Sequence, residues 1–204
     1  MKGHLSEAAM IGVLALQGDV AEHLRALRAC DAAAMPVRTS TELEAVDGLV
    51  LPGGESTTMA RLLRVFGLEE ALRRRLDGGL PCLATCAGVI LLSRHVLDGR
   101  PDQLCTGTLD IDVRRNGYGR QIDSFEAPLD VSEIGAGPFV GVFIRAPVIE
   151  RVGESVQVIA RRGDQPVALR QGRHLALTFH PELTGDHRLH RLFLESIVEG
   201  SSSR

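Results

Sequence analysis

The segment Pro81–Leu92 constrains the fold of this chain more than any other. A short apolar run suited to a buried strand is followed by a longer apolar run suited to a helix. Between the runs lies Thr85-Cys86-Ala87-Gly88, in which small residues flank one cysteine. Small neighbours permit a sharp strand-to-helix turn, which would present the Cys86 side chain beside a helix N-terminus. The free N–H groups there favour an anion, and the thiolate is the nucleophilic form of cysteine.

Two interpretations of Cys86 remain open on this segment alone. The first is a catalytic nucleophile at the apex of the turn. The second is a structural cysteine, because free cysteine is among the residue types most often buried. The other motifs of the chain have to distinguish them.

The first half of the chain alternates predicted strands and helices. The strands are Ile11–Leu16, Pro36–Arg38, Gly48–Leu51 and Leu80–Thr85; one helix follows a possible cap at Asp19, and others span Thr57–Leu76 and Gly88–Leu97. Continuous apolar strands between helices favour a parallel sheet that is covered on both faces.

The second half is rich in predicted strands, which indicates antiparallel additions at a sheet edge. They are Thr108–Arg114, Gln121–Glu126, Phe139–Arg145, Val156–Arg161, Val167–Arg170 and Leu175–Phe179, followed by a helix from a cap at Asp186 to Val198. We therefore expect an α/β fold: one domain over residues 10–199, with a mostly parallel sheet flanked by helices and added antiparallel strands in the second half. Residues 1–9 are expected to be a disordered extension and residues 200–204 a frayed tail.

Composition narrows the function classes. The net charge of −3 gives no electrostatic case for binding nucleic acid or an anionic membrane, and no apolar run is long enough for a membrane helix. The four cysteines, Cys30, Cys82, Cys86 and Cys105, match neither a zinc-site spacing nor a secreted disulfide framework. We expect reduced thiols, a cytoplasmic location, no metal and no cofactor.

The motif His180-Pro181-Glu182 supplies the partners that a nucleophilic cysteine needs. In an extended segment, residues i and i+2 point to the same face, so the Glu182 carboxylate can orient the His180 imidazole. Taken one at a time, His180 is better explained as a structural histidine and Glu182 as a solvated acid. Together with Cys86 they favour a nucleophile, base and orienting acid.

The loop Pro52-Gly53-Gly54-Glu55-Ser56 follows the third predicted strand. One interpretation is a turn in which Ser56 or Thr57 caps the next helix. Paired glycines also let backbone N–H groups approach a ligand, so Gly53, Gly54 and the N–H of Ala87 are candidates for an oxyanion hole.

These three motifs together resemble the class I, triad-type glutamine amidotransferases. Within that class the chain is similar to the glutaminase subunits of pyridoxal 5′-phosphate synthase, over about Ile11 to Val198. Four further segments carry the similarity: Leu14–Asp19, Arg114–Gln121, Asp123–Glu126 and Phe143–Pro147. One departure is Ala84, where members of the family usually have glycine.

The resemblance implies a flavodoxin-like fold and hydrolysis of L-glutamine to L-glutamate and ammonia through a cysteine thioester. It implies that the ammonia passes to a separate synthase subunit that builds pyridoxal 5′-phosphate. It also implies roles for particular residues: a triad of Cys86, His180 and Glu182, and glutamine contacts from Gly54, Glu55, Ser56, Arg115, Ile144 and Arg145.

Two rival functions stay open at this point. The chain could be the glutaminase of another synthase, or another cysteine hydrolase on the same fold. It could also be a non-catalytic, glutamine-binding regulatory subunit, although binding alone requires no His180–Glu182 pair.

Overall fold

A seven-stranded sheet lies at the centre of the fold. The protein is represented by a computed structural model that describes residues 9–100, 102–115 and 124–201. The predicted extension, apart from Ala9, lies outside these ranges, as do Gln121–Asp123 of one predicted strand and residues 202–204 of the predicted tail. Residues 116–123, which contribute to two of the similarity segments, also lie outside them.

The helices and strands of the described residues follow one another along the chain. The strands are β1 (Met10–Leu14), β2 (Ala33–Val37), β3 (Gly48–Leu51), β4 (Cys82–Thr85), β5 (His95–Val96), β6 (Ile111–Arg114), β7 (Ser124–Leu129), β8 (Phe139–Ile144), β9 (Val148–Val152), β10 (Gln157–Arg162), β11 (Gln165–Gln171) and β12 (His174–Leu177). The α-helices are α1 (Val20–Ala29), α2 (Ser40–Glu44), α3 (Ser56–Val65), α4 (Glu69–Asp77), α5 (Ala87–Leu92) and α6 (Arg188–Ser201), and a 3₁₀ helix spans Pro181–Leu183.

The large sheet has the strand order β10-β11-β12-β4-β3-β1-β2. Its β2, β1, β3, β4 and β12 strands pair in parallel, whereas β11 and β10 are antiparallel additions beyond β12. The predicted fold class, a mostly parallel sheet with antiparallel strands from the second half, is therefore confirmed. A three-stranded sheet, β5-β6-β9, and a β7–β8 hairpin complete the strands.

Apolar side chains cover both faces of the large sheet, which explains the continuous apolar strands. One buried cluster contains side chains from α2, α3, α4 and α5, such as Leu43, Met59 and Val89. The other contains side chains from α1, α6 and β8, such as Leu27 and Phe193. Two helical layers thus enclose the sheet, as burial of both faces requires.

The predicted helix Thr57–Leu76 is wrong as a single element. It is divided into α3 and α4 at Gly67, whose φ of 67° lies in the left-handed region. The Leu68 amide donates to Leu63 O and the Gly67 amide to Arg64 O, a bonding pattern that ends helices at a glycine.

The predicted helix Gly88–Leu97 also ends early, at Leu92. The Ser93 hydroxyl donates to Ile90 O, and the following chain leaves to form β5. The elements α2, β5 and β9 were not predicted from the sequence. Asp186 lies at the predicted start of the final helix and accepts from the Arg188 amide, and that helix continues three residues past Val198, to Ser201.

Candidate active site

Four loops meet where parallel strands of the large sheet end. They follow β1, β3, β4 and β12, and they carry Gln17, Gly54, Cys86 and His180. Because the carboxyl ends of parallel strands lie at one edge of a sheet, residues from distant parts of the sequence come together there. The strand order changes direction between β1 and β3, which is the position where α/β sheets open a crevice.

Cys86 occupies the turn between β4 and α5. It is the N-cap of α5 and has φ 46° and ψ −104°, a backbone conformation that non-glycine residues rarely adopt. The amide of Cys86 donates to Leu177 O of β12 at 2.9 Å, which ties the turn to the neighbouring strand. Only 6% of the residue is exposed, and its Sγ lies 3.8 Å from Ile144 O. The predicted sharp turn is present, and strain of this kind is concentrated at functional sites.

His180 and Glu182 form a buried hydrogen-bonded pair. His180 Nδ1 lies 2.7 Å from Glu182 Oε1, and the two residues are 4% and 6% exposed. The prediction that they meet through an extended segment is wrong, because Glu182 lies in the 3₁₀ helix Pro181–Leu183. His180 precedes that helix with φ −108° and ψ 89°, and the tight turn brings the carboxylate back to the imidazole.

Asp19 brings a second carboxylate to the same imidazole. Its Oδ2 lies 3.3 Å from His180 Nδ1. Asp19 is the N-cap residue of α1, as predicted, but its side chain makes no capping hydrogen bond to the helix. Burial alone lowers the pKa of His180, but interactions with the Asp19 carboxylate, the Cys86 sulfur and the Glu182 carboxylate outweigh it and raise the pKa to about 12. The hydrogen bond with His180 also holds the pKa of Asp19 below its usual range. His180 is therefore an imidazolium at neutral pH, positioned to hold a proton for a leaving group.

Glu55 caps α3, which corrects the prediction of Ser56 or Thr57 as the cap. Its carboxylate accepts from the Thr57 and Thr58 amides at 3.0 and 2.6 Å. Burial tends to raise the pKa of Glu55, but the hydrogen bonds from Thr58 and Thr57 dominate and lower it to about 2. The group is therefore ionised at neutral pH.

Glu55 and Arg115, which are both predicted to contact glutamine, form an ion pair with one another. Arg115 Nη2 donates to Glu55 Oε1 at 3.1 Å, and the Arg115 amide donates to Asp98 Oδ1 at 2.7 Å. The guanidinium is held beside the cavity by this pair, with donors left for a carboxylate of a ligand. Arg145 has a left-handed φ of 46°, a second rare backbone conformation at this edge.

One cavity of about 380 Å³ joins most of the predicted site residues. It is lined by Gln17, Asp19, Gly54, Glu55, Ser56, Cys86, Ile90, Arg115, Ile144, Arg145 and His180. Gly53, Ala87 and Glu182 do not line it. Glu182 lies behind His180, and a Cβ at Gly53 would approach His180 Cε1 to 2.4 Å, so only glycine fits beside the imidazole. Gly54 has φ 145°, which also favours glycine.

Three cavity residues were missed as site residues. Asp19 follows Gln17 and Gly18 in the loop after β1, and from the sequence it was predicted as a helix cap and as part of a family motif, not as a site residue. Gln17 Oε1 is buried and has no hydrogen-bond partner among the described residues. Ile90 lies one turn into α5, where its apolar side chain gives no sequence signal beyond helix packing.

Asp19, His180 and Glu182 are the described residues whose donor atoms could hold a metal ion, since these atoms lie within 4.8 Å of one another. A metal there would replace the proton that joins His180 Nδ1 to Glu182, and the imidazole would no longer be oriented by a hydrogen bond. The donor set suits a proton shared by an imidazole and carboxylates.

All four cysteines are free thiols, and no helix within the described residues is long and apolar enough to cross a membrane. Burial holds the pKa of Cys82 well above its usual range, which makes that thiol unreactive.

Known proteins share both the sequence and the fold. A model of the SNO glutamine amidotransferase family matches residues 13–199. Pyridoxal 5′-phosphate synthase subunit PdxT of Frankia casuarinae is 58% identical over 194 residues, which cover 95% of this chain and 98% of that protein. The PdxT subunit of Kineococcus radiotolerans is 57% identical over 201 residues, with coverage of 95% and 97%.

Solved structures agree with these relatives. A crystal structure of a glutamine amidotransferase has a TM-score of 0.86 and 50% identity, and the match covers 92% of this chain and 98% of that one. The structure of PurLQS from Thermotoga maritima has a TM-score of 0.65 at 16% identity, with coverage of 95% and 99%, and this likeness shows the fold alone.

Proposed function

The chain belongs to the SNO glutamine amidotransferase family, and on that premise we propose that it hydrolyses L-glutamine to L-glutamate and ammonia as the glutaminase subunit of a pyridoxal 5′-phosphate synthase. The observation that carries this proposal is a single cavity that joins Cys86 and His180 to the Glu55–Arg115 pair. This arrangement supports a nucleophile, a proton donor and a zwitterion-binding end within the reach of one amino acid. The relatives at 54–58% identity are PdxT subunits of that synthase, which favours it over the synthases of other pathways.

The proposed reaction has two halves. The Cys86 thiolate attacks the side-chain amide carbon of glutamine, and the imidazolium of His180 gives its proton to the departing nitrogen, which leaves as ammonia. A water molecule then attacks the thioester carbon while His180 accepts one proton from it. Glutamate is released, and the thiolate–imidazolium pair is restored.

Negative charge develops on the carbonyl oxygen in both halves. The backbone N–H of Ala87 follows the nucleophile at the start of α5, where an oxyanion donor is expected. We assign the second donor to the Gly53–Gly54 loop, because Gly53 packs against the ring of His180. One donor of this kind is worth roughly 10²–10³-fold in kcat.

The other end of glutamine carries an ammonium and a carboxylate. The ionised Glu55 suits the ammonium, and Arg115 with Arg145 suits the carboxylate. Gly54, Ser56 and Ile144 complete the lining around the substrate. Binding of glutamine would exchange part of the Glu55–Arg115 pair for contacts to the two charged groups of the substrate.

The proposed partner is the synthase subunit that consumes the ammonia. We also propose a cytoplasmic location, where a reducing environment keeps the Cys86 thiol free. Without nucleophilic chemistry, the strained backbone of Cys86 and the buried His180–Glu182 pair would serve no purpose in a regulatory subunit that only binds glutamine.

The test measures glutamate release from glutamine by the purified chain, both alone and with a saturating concentration of the synthase subunit of pyridoxal 5′-phosphate synthase. Cys86→Ala should abolish release, while Cys105→Ala, which changes a half-buried thiol outside the cavity, should leave it intact. Glutamate release by Cys86→Ala at the wild-type rate would refute the proposed chemistry. An absence of release by the wild-type complex would refute the function.

A further inference from the structure

The buried residue His23 lies between the orienting acid of the triad and the strand that leads to the nucleophile. His23 lies on α1 and is 0% exposed. Its Nε2 lies 3.4 Å from Glu182 Oε2 and 3.2 Å from Thr85 Oγ1. Thr85 directly precedes the nucleophile Cys86, so His23 touches both the orienting acid and the strand end that carries the thiol.

The other ring nitrogen of His23 also has a partner. Its Nδ1 lies 3.1 Å from Nε2 of His190, a residue of α6 that is likewise 0% exposed. Burial, with repulsion from His190 and His180, keeps the pKa of His23 well below its usual range, so the ring is neutral. Burial also lowers the pKa of His190 to about 4, so this ring is neutral as well.

The partners favour one assignment of the proton to a nitrogen of each ring. A neutral imidazole has one donor and one acceptor. Glu182 Oε1 already accepts from His180, whereas its Oε2 is buried and has no well-directed hydrogen bond among the described residues. His23 Nε2, which is hydrogen-bonded to Thr85 Oγ1, lies 3.4 Å from this oxygen and is placed to become its donor. If His23 donates from Nε2, its Nδ1 must accept from Nε2–H of His190, and this leaves Nδ1 of His190 bare. That nitrogen is buried and has no hydrogen-bond partner among the described residues, and the assignment is favoured because it leaves no buried N–H unpaired there.

We propose that His23 is a positioning residue of the glutaminase, held as its Nε2–H tautomer by His190, and that it fixes Glu182 through the carboxylate oxygen that His180 does not use. The expected effect of His23 on the rate rests on the proposed function, whereas the tautomer assignment does not depend on that function. Without the His23 ring, the distal oxygen of Glu182 would lose the N–H that lies 3.4 Å away, and the carboxylate could rotate away from His180.

A simple packing role for His23 makes a different prediction. Packing depends on ring volume, so His23→Leu and His23→Gln would then behave alike. A positioning role depends on the donor, and the amide nitrogen of glutamine can occupy the place of imidazole Nε2. His23→Gln should therefore recover most of the activity that His23→Leu loses.

The first arm of the test measures kcat and KM for glutamine in the holo complex with the synthase subunit. His23→Leu should lower kcat on the order of 10- to 100-fold, the loss typical when a partner that orients a functional group is removed, with little change in KM. His190→Leu should lower kcat less, because the His23 ring could then adopt either tautomer but would still carry an N–H donor. The matched control is His174→Leu, a partly buried histidine of β12 outside the cavity, which should keep the wild-type kcat.

The second arm records ¹⁵N NMR spectra of the histidine-labelled wild-type chain, which remain informative if a variant fails to fold. The spectrum should show His23 as a neutral ring protonated at Nε2 from pH 6 to pH 8. A ring protonated at Nδ1, or equal kcat losses in His23→Leu and His23→Gln, would overturn the proposal. A wild-type complex without glutaminase activity would refute the proposed function, and the tautomer would still decide the assignment of His23.

Discussion

Replacing Glu182 by glutamine tests how the imidazole of His180 is held. The substitution keeps the volume of the side chain and removes its negative charge. In the structure the charge lies 2.7 Å from His180 Nδ1, and a second carboxylate, Asp19, lies 3.3 Å from the same atom. The effect of Glu182→Gln on kcat therefore depends on how far the Asp19 carboxylate can replace the interaction of Glu182 with His180.

The magnitude follows from the two distances. A hydrogen bond between ionised groups contributes about 1.5–3 kcal/mol, and about 1.4 kcal/mol is tenfold in rate, so Glu182→Gln alone should lower kcat roughly 10- to 100-fold. Loss of the only orienting carboxylate costs on the order of 10⁴-fold in serine proteases. The double variant Asp19→Asn with Glu182→Gln should approach that larger loss, while Asp19→Asn alone should cost less than Glu182→Gln.

The assay is steady-state glutamate release in the presence of saturating synthase subunit, with circular dichroism to confirm that each variant folds. The diagnostic result is a double variant slower than the product of the single effects predicts, because each carboxylate partly substitutes for the other. An unchanged kcat in Glu182→Gln would refute the assignment of Glu182. A double variant no slower than Glu182→Gln would refute the role of Asp19.

Three further predictions concern substrate binding, pH and the core. Arg115→Ala and Arg145→Ala should chiefly raise KM for glutamine, because contacts to the charged end persist from ground state to transition state; a steady KM in both variants would place those contacts elsewhere. Hydrogen bonds from Arg151 lower the pKa values of Asp110 and Asp112, so their contribution to stability is present above the ordinary aspartate pKa of 3.8 and is lost as the pH falls below it through the lowered pKa values. The urea midpoint should therefore fall less between pH 7 and pH 3 in Arg151→Met than in the wild type, and an equal fall would contradict this. Phe143→Ala should cost about 3–5 kcal/mol in the free energy of unfolding, since Phe143 is fully buried against Phe125 and Phe179, and a cost below about 1 kcal/mol would contradict that packing.

The sequence indicated the parallel sheet because its strands are continuous apolar runs that only a doubly covered sheet explains. It also located the loops that build the cavity, since Cys86, Gly54 and His180 each follow such a run. Helix ends were harder to predict. The helix after Ser56 is interrupted at Gly67, and a single glycine inside a helical pattern does not reveal whether it will adopt a left-handed conformation.

Two contacts between distant residues, Asp19 with His180 and His23 with Glu182, could not be predicted from the sequence. Asp19 matches a helix cap, and its contact with His180 depends on β1 and β12 ending at the same edge of the sheet. His23 matches an ordinary residue of an amphipathic helix, and its contact with Glu182 joins positions that are far apart in the chain. Such contacts have no local pattern, because they are created by the strand order.

Covalent labelling of Cys86 tests the central claim most directly. The complex with the synthase subunit is incubated with a diazo-ketone analogue of glutamine, and the modified peptide is identified by mass spectrometry, with excess glutamine as the competitor. We predict one label per chain, on Cys86, with protection by glutamine and no label in Cys86→Ala. Labelling of Cys30, Cys82 or Cys105 instead, or labelling of Cys86 that glutamine does not slow, would contradict a glutamine-specific nucleophile at the turn between β4 and α5.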